Sequence, residues 1–398
     1  MRFTATLSDV HEKPFGRLDF TDKLPVSAND LGFAGDTIAF SVSLPIRDVA
    51  GYFNPSLLDG PLPRLDWTID FTGSAGKNYP ILCFMSQGGE NRYTLYADNL
   101  IDDFQCVAKM NQQSGCYDVR FIFANRQPVR PFTIYLDTIG GDWTEAFSRA
   151  LKKLRPHGMP VFPERAFDPV YCTWYAVHAC LTTDYLDQNA RCAAELGCGT
   201  FIVDDGWCID EMKRVSPQTI DTWYEQIGDW ELSEEKLPRF RENVAYAQGL
   251  GLRYLVWVAP FFVYPKSKFF GSLASEDLMP ETGDTLFDPA RERPVRETLG
   301  KMRRVVRDLG LDGLKVDFID AIPQNPRKPR GREVYGFLSE LSRTIREEAG
   351  DEALIEFRQN YATPQMLDFA TQFRAGDVPL RLSPEPLPHR DNPHSSRR

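Results

Sequence analysis

No stretch of this chain is apolar for long enough to cross a bilayer. Its first residues, Met1-Arg-Phe-Thr-Ala-Thr-Leu-Ser-Asp-Val-His-Glu, also lack the apolar centre of a secretory leader. Neither a membrane protein nor a secreted one is expected, and the compartment implied is the cytoplasm. The 8 cysteines show no C-x-x-C spacing, and the 5 histidines show no metal-ligand spacing. Cys172, Cys180, Cys192, Cys198 and Cys208 crowd into one segment. In a reducing compartment they read as small apolar core residues rather than as disulfides. No metal and no cofactor is expected. Cationic excess is absent too: 46 Lys and Arg against 56 Asp and Glu leave a formal charge of -10. That balance disfavours nucleic acid and anionic membrane as partners.

What is present is an ordinary globular composition, with 42% hydrophobic and 26% charged residues over 398 positions. That length suffices for more than one domain. Aromatics reach 12%, which suits sugar stacking and large cores alike. Residues 1–142 are dominated by β-branched and aromatic runs at Ile38–Leu44, Leu65–Phe71, Tyr93–Ala97 and Val119–Phe123. Gly, Pro, Asn and Asp separate them, and the pattern predicts a β-sandwich. Trp143–Leu154 reads as a helix, and the segment to residue 169 as a proline-punctuated linker.

From Val170 the rhythm changes to alternating strands and helices. Strands are predicted at Val170–Tyr175, Thr200–Asp204, Leu252–Val258, Gly313–Phe318, Ala353–Phe357 and Gln372–Arg374. Helices are predicted at Tyr185–Leu196, Phe240–Gly249, Val295–Leu309, Glu333–Glu348 and Gln365–Ala370. Gly251 and Gly310 stand just past two of the helix ends. Such alternation builds a parallel sheet, and polar residues at the strand C-terminal ends favour a (β/α)8-type TIM barrel over residues 170–379. Only six of eight strands are visible, so the barrel reads as incomplete and the chain as C-terminally truncated. Residues 380–398, rich in proline and charge, read as a disordered tail.

Four strand ends carry residues suited to chemistry. The second ends in Asp204-Asp205-Gly206-Trp207, two carboxylates that accept from sugar hydroxyls and an indole that covers a ring face, or else an acidic turn. On the fourth, Lys315 and Asp317 are two residues apart and share a face. They are either a structural ion pair or a nucleophile kept ionised by its cation. After the sixth, Asp377 follows Arg374-Ala-Gly and could face Asp317, unless it is a solvated loop residue. Trp257, Trp174 and Tyr175 fit a core or a sugar platform equally. Two opposed carboxylates with extra hydroxyl-binding carboxylates, a lysine and indoles fit glycoside hydrolysis.

At these residues the chain resembles the melibiase-type α-galactosidases and their clan. Asp204-Asp205-Gly206-Trp207, Lys315-Val316-Asp317 and Asp377 match that family's motifs in order and strand number, and Gly228-Asp229-Trp230 with Lys236 resembles its loop before the third strand. The resemblance runs from about Val170 to Pro379. It implies Asp317 as nucleophile and Asp377 as acid/base. It further implies that Asp204 and Asp205 hold the sugar's 4- and 6-hydroxyls and that Lys315 binds near the 3-hydroxyl. Three departures stand out: Val316 between the lysine and the nucleophile, Ala259-Pro260-Phe261 after the third strand, and Glu356-Phe-Arg358-Gln359-Asn360-Tyr361 after the fifth. The last would place Arg358 near the sugar's 2-position. The expected function is retaining hydrolysis of a terminal α-galactosyl residue, with N-acetylgalactosamine left open as the sugar. Alternatives are a transglycosidase resembling raffinose synthases and an inactive sugar-binding remnant. Trp207, Trp257, Arg358 and Arg374 complete the expected substrate contacts.

Overall fold

A computed structural model describes residues 28–34, 37–55, 65–126, 132–155, 158–210, 227–358 and 363–374. Its N-terminal part holds nine strands: β1 (Ala28–Ala34), β2 (Thr37–Pro45), β3 (Gly51–Phe53), β4 (Thr68–Gly73), β5 (Ile81–Met85), β6 (Asn91–Ala97), β7 (Phe104–Asn111), β8 (Cys116–Ala124) and β9 (Ile134–Asp137). They form two antiparallel sheets, ordered β1-β2-β8-β7-β4 and β3-β5-β6-β9. Period-2 alternation in β2 turns Phe40, Val42 and Leu44 inward while Ser41 and Ser43 stay partly exposed. These inward residues share one core with Leu82, Phe84, Leu95 and Leu136 of the other sheet. The helix α1 (Trp143–Leu154) starts where Asp142 accepts from Thr144 N, and it buries Ala146, Ala150 and Leu154.

The second part is a parallel sheet of six strands in chain order: β10 (Val170–Cys172), β11 (Thr200–Val203), β12 (Arg253–Val258), β13 (Gly313–Val316), β14 (Leu354–Arg358) and β15 (Gln372–Arg374). Crossovers carry α2 (Thr183–Glu195), α3 (Phe240–Gly249), α4 (Glu292–Leu309) and α5 (Gly331–Ala349). Gly310 closes α4 in the left-handed region at φ 67°, and Gly251 at φ 88° follows α3, as their places in the sequence predict. Two local expectations fail. Trp174–Val177 is a helical turn rather than an extension of β10, and Thr173 already has helical backbone angles. Pro364–Asp368 is a short 3₁₀ turn rather than the helix expected at Gln365–Ala370. Ser342 and Arg346 of α5 both bond Phe369 O, tying the chain down directly after that turn.

Register sorts the inward-facing side chains into layers. Ile202 lies beside Leu255, Leu255 beside Gly313, and Gly313 beside Leu354. Ile202, Leu255 and Leu354 form a small apolar cluster with Val170 and Ala166. Gly313 must lack a side chain, because a Cβ there would lie 1.7 Å from Leu354 O. Two residues further along each strand the layer turns polar, with Trp257 beside Lys315 and Lys315 beside Glu356. The sheet is thus floored with hydrocarbon and charged at its C-terminal end.

The two parts are locked together by buried polar contacts. Asp103 accepts from the backbone N–H groups of Asn325, Arg330 and Gly331 at 3.0, 2.9 and 2.5 Å. Arg332 bonds Asp102 through two nitrogens, and Arg126 bonds Glu333 in the same way. The turn Ser74–Lys77, after β4, reaches into the mouth of the parallel sheet, where Ala75 joins that part's main core. Among the described residues no helix is long and apolar enough to cross a membrane, and no group of three or more His, Cys, Asp or Glu is placed to hold a metal ion. All 8 cysteines are free thiols.

Candidate active site

Asp204, directly after β11, is the centre of the polar layer. Its Oδ2 accepts from Lys315 Nζ at 2.5 Å and from Cys172 Sγ at 2.9 Å, and its Oδ1 accepts from Asp205 N at 2.9 Å. Thr173 Oγ1 in turn accepts from Asp204 N. Asp204 and Lys315 are both buried, so this is an ion pair in a low-dielectric setting. Burial alone would pull the Lys315 ammonium down, but Asp204, Cys172 and Asp317 together hold it above the ordinary lysine value. Burial also pushes the Cys172 thiol up, reinforced by Asp204, so it stays protonated and donates.

Asp317, one residue past β13, has a different environment. Trp257 Nε1 donates to its Oδ2 at 2.8 Å, Phe318 N donates to its Oδ1 at 2.7 Å, and Arg358 Nε lies 3.7 Å from Oδ1. Phe318 adopts φ 52°, a left-handed conformation uncommon for a bulky residue, and this turn lets its own N–H reach back to the carboxylate. The Arg358 guanidinium sits 5.7 Å from the Phe318 ring centroid. Burial raises the Asp317 carboxyl to about 6 even though Lys315, Arg358 and the Trp257 indole all favour its ionised form. A carboxyl so poised, with its charge supported by three donors and cations, can act as a nucleophile near neutral pH.

The structure therefore brings together Asp204, Asp205, Lys315, Asp317, Trp257 and Arg358. Trp207 lies elsewhere than its motif suggests: it is fully buried, and its Nε1 donates to Trp257 O at 2.7 Å. Gly206 at φ 109° turns the chain under Ala179, where a Cβ would come within 2.4 Å, and this folds Trp207 into the core beneath Trp257. Trp257 is itself buried, 5.8 Å from the Trp230 ring, so its indole N–H faces the carboxylate while its ring packs. Tyr175 is exposed, and Trp174 packs at 4.8 Å on His178. Arg374 bonds Glu356 at 2.9 Å through Nε, and Glu356 is buried. Desolvation opposes the Arg374 charge, but Glu356 outweighs it and keeps the guanidinium above its usual range. Asp229 accepts from the N–H groups of Lys268 and Phe269. Asp377 and the stretch 359–362 lie outside the described residues.

Two members of this polar layer do not stand out in the sequence. Cys172 reads there as apolar core, and Glu356 only as the start of the stretch that departs from the family's pattern. Strand alternation is the signal that marks both: Cys172 follows Val170 by two, and Glu356 stands midway between Leu354 and Arg358 on one face.

The fold belongs to the class of parallel β/α sheets that carry charged groups at the strand C-terminal ends. Within that class, residues 150–321 match the family model described as Melibiase. Segments of the chain are 32% identical over 111 residues to an α-galactosidase of Escherichia coli, covering 27% of this chain and 14% of that protein. They are 31% identical over 98 residues to α-galactosidase AgaA of Geobacillus stearothermophilus, covering 24% and 12%. Among solved structures, AgaA in complex with 1-deoxygalactonojirimycin superposes with a TM-score of 0.60 at 17% identity, over 86% of this chain and 53% of that one. An α-galactosidase of Thermus thermophilus with p-nitrophenyl α-D-galactopyranoside gives 0.57 at 19% identity, over 88% and 71%. The chain thus spans about half the length of the AgaA structure, 53% by this match.

Proposed function

We propose that this chain is a glycoside hydrolase that acts on terminal α-galactosyl or closely related residues with retention of configuration. Asp317 is the nucleophile in this reading. The observation that carries it is the environment of that carboxylate: buried, raised to about 6, and held by Trp257, Phe318 N and Arg358 beside Lys315. Attack by Asp317 on the anomeric carbon gives a glycosyl ester as the aglycone oxygen is protonated. Asp377 is the group proposed to protonate it and later to activate the incoming water. Lys315 and Asp204 form a rigid, mutually neutralised pair that presents an N–H donor and remaining carboxylate lone pairs to adjacent hydroxyls. Asp205, Arg358 and Arg374 complete the sugar contacts. Relatives that share the fold bind raffinose and 1-deoxygalactonojirimycin, which supports a galactoside as the sugar.

An inactive sugar-binding form is favoured by one observation: among the described residues, β10 and β15 are each paired on one side only. A panel of aryl α-glycosides, with the anomer of the first product read by NMR, decides between these readings. Release of the α-anomer first from an α-galactoside supports retention, and release of the β-anomer first rejects it. Binding without any turnover supports the inactive form.

A further inference from the structure

Two adjacent phenylalanines after β12 are sent to opposite sides. Phe261 is fully buried, its ring 4.7 Å from Phe337 and 5.8 Å from Phe287, and it anchors the loop in the core. Phe262 is half-buried, and its ring meets that of Phe318 edge to face at 5.3 Å and 80°. The backbone around Phe262 is tied down on both sides. Phe262 N donates to Ala259 O at 3.0 Å, Val263 N to Thr285 O at 3.0 Å and Phe287 N to Phe261 O at 3.2 Å. Tyr264 stacks on the Phe262 ring at 5.8 Å. This loop begins with Ala259-Pro260-Phe261, one of the three departures from the family's pattern. Phe318, the ring it meets, directly follows Asp317 and holds the left-handed conformation at φ 52°. Trp257 at 6.5 Å and Arg358 at 5.7 Å flank the same ring, and both also lie against Asp317.

We propose that Phe262 is a positioning residue: its ring braces Phe318 in the left-handed conformation and so keeps the Phe318 N–H on the Asp317 carboxylate. This role deepens the reading of Asp317 as the nucleophile and rests on it. The coupling follows from backbone geometry. Asp317 N donates to Val258 O at 2.8 Å, which holds the chain before the turn. After it, Phe318 O accepts from Ala321 N at 3.0 Å, and Ile319 is buried where a Cβ on Gly76 would lie 2.8 Å from its carbonyl oxygen. With both flanks held, Phe318 leaves the left-handed region only when the peptide plane between Asp317 and Phe318 turns over. That rotation swings the N–H off Oδ1, which it reaches at 2.7 Å in the braced form. An unbraced phenylalanine disfavours the left-handed region because its Cβ crowds the backbone, so contacts on the ring must hold it there. Trp257 and Arg358 act on the carboxylate directly as well as on this ring. Phe262 acts through Phe318, so its removal isolates the brace.

Besides the Phe318 N–H, Asp317 is faced by Lys315 on its own strand, Arg358 on β14, Asp204 after β11 and the Trp257 indole on β12. The indole N–H is hydrogen-bonded to Asp317 and gives a readout that needs no substrate. Its ¹⁵N–¹H resonance in the full chain, assigned by its loss in Trp257→Phe, should report the ionisation of Asp317 as pH is varied. Phe262→Ala should move that midpoint upward by about half a unit or more, because the ionised carboxylate loses the Phe318 N–H. Phe262→Tyr keeps a ring in place and should keep the wild-type midpoint. Glycine at 318 takes left-handed angles without a brace, so adding Phe262→Ala to Phe318→Gly should move the midpoint no further. A folded Phe262→Ala at the wild-type midpoint overturns the proposal, as does an equal upward shift in the Phe318→Gly background. Should Phe262→Ala fail to fold, Phe262→Leu keeps most of the volume but not the ring edge and should raise the midpoint; a wild-type midpoint there then overturns the proposal. If the midpoint moves as stated while the chain cleaves no α-glycoside, the functional reading fails and the positioning role stands. If the chain turns over an α-glycoside while the midpoint stays put, the positioning role fails and the functional reading stands.

Discussion

Asp317 and Lys315 occupy one face of one strand end, yet their environments push them in different chemical directions. Lys315 is locked onto Asp204, while Asp317 keeps a proton affinity near neutrality. In its proposed role as nucleophile Asp317 must be ionised, so kcat/KM should rise with pH through a midpoint near 6. The same shift has a stability sign. A folded-state value above the ordinary 3.8 means that the folded chain holds more protons than the unfolded one between roughly pH 4 and 6. Stability from this group is therefore present at low pH and falls as pH rises through that window. Asp317→Asn should abolish turnover yet raise the unfolding free energy at pH 7 by about 1–3 kcal/mol, with the gain fading toward pH 4. Calorimetry at the two pH values checks this, and a destabilised variant at pH 7 contradicts it. Lys315→Met should behave in the opposite sense. It leaves Asp204 buried without its cation, which typically costs about 3–5 kcal/mol, and urea unfolding should show a loss of that order.

At the scale of elements, the join between α5 and the N-terminal sheets is made of carboxylates capturing backbone and guanidinium donors. Asp103 is the most heavily used, with three backbone N–H groups converging on it. Burial outweighs those bonds and raises its carboxyl to about 7. Asp103→Leu removes the acceptor for all three and should destabilise the chain by about 2–4 kcal/mol, since donors left dry cost about 1–3 kcal/mol each and water reaches some of them. Hydrogen exchange should show the change first at Asn325, Arg330 and Gly331. Uniform exchange across the chain, with no local change there, counts against a joint held by this residue.

For the molecule as a whole, the feature with the largest consequence is that β10 and β15 are each paired on one side only among the described residues. Between β10 and β15 lies a cavity of about 490 Å³, lined on one side by Phe162, Ala166 and Phe167 and on the other by Gln372, Phe373 and Arg374. Met159, Val161 and Phe167 beside it are 63%, 99% and 76% exposed. Strand edges without a partner among the described residues, beside exposed apolar side chains, promote association. Residues 1–398 expressed as they stand should self-associate as concentration rises, and Val161→Lys with Phe167→Lys should reduce light scattering without altering circular dichroism. A wild-type chain that stays monomeric by sedimentation at high concentration contradicts this.

Periodicity alone locates the six parallel strands in order, together with α1 and α3 at their observed bounds, because period-2 and period-3.6 burial leave direct marks on sequence. Spacing also puts Lys315 and Asp317 on one face, and composition anticipates the free cysteines. Strands β1, β3, β5, β7 and β9 escape, since their pairing rather than their local pattern defines them. What sequence does not reach is which partner each polar residue takes. Trp207 has the sequence context of a sugar platform, but the Gly206 turn folds it under Trp257. Cys172 has the context of core filler, but register sets it against Asp204. Strand period is a property of neighbours along the chain. Hydrogen-bond partnership depends on contacts between residues more than a hundred positions apart, such as Asp204 and Lys315, and only the folded sheet brings those together.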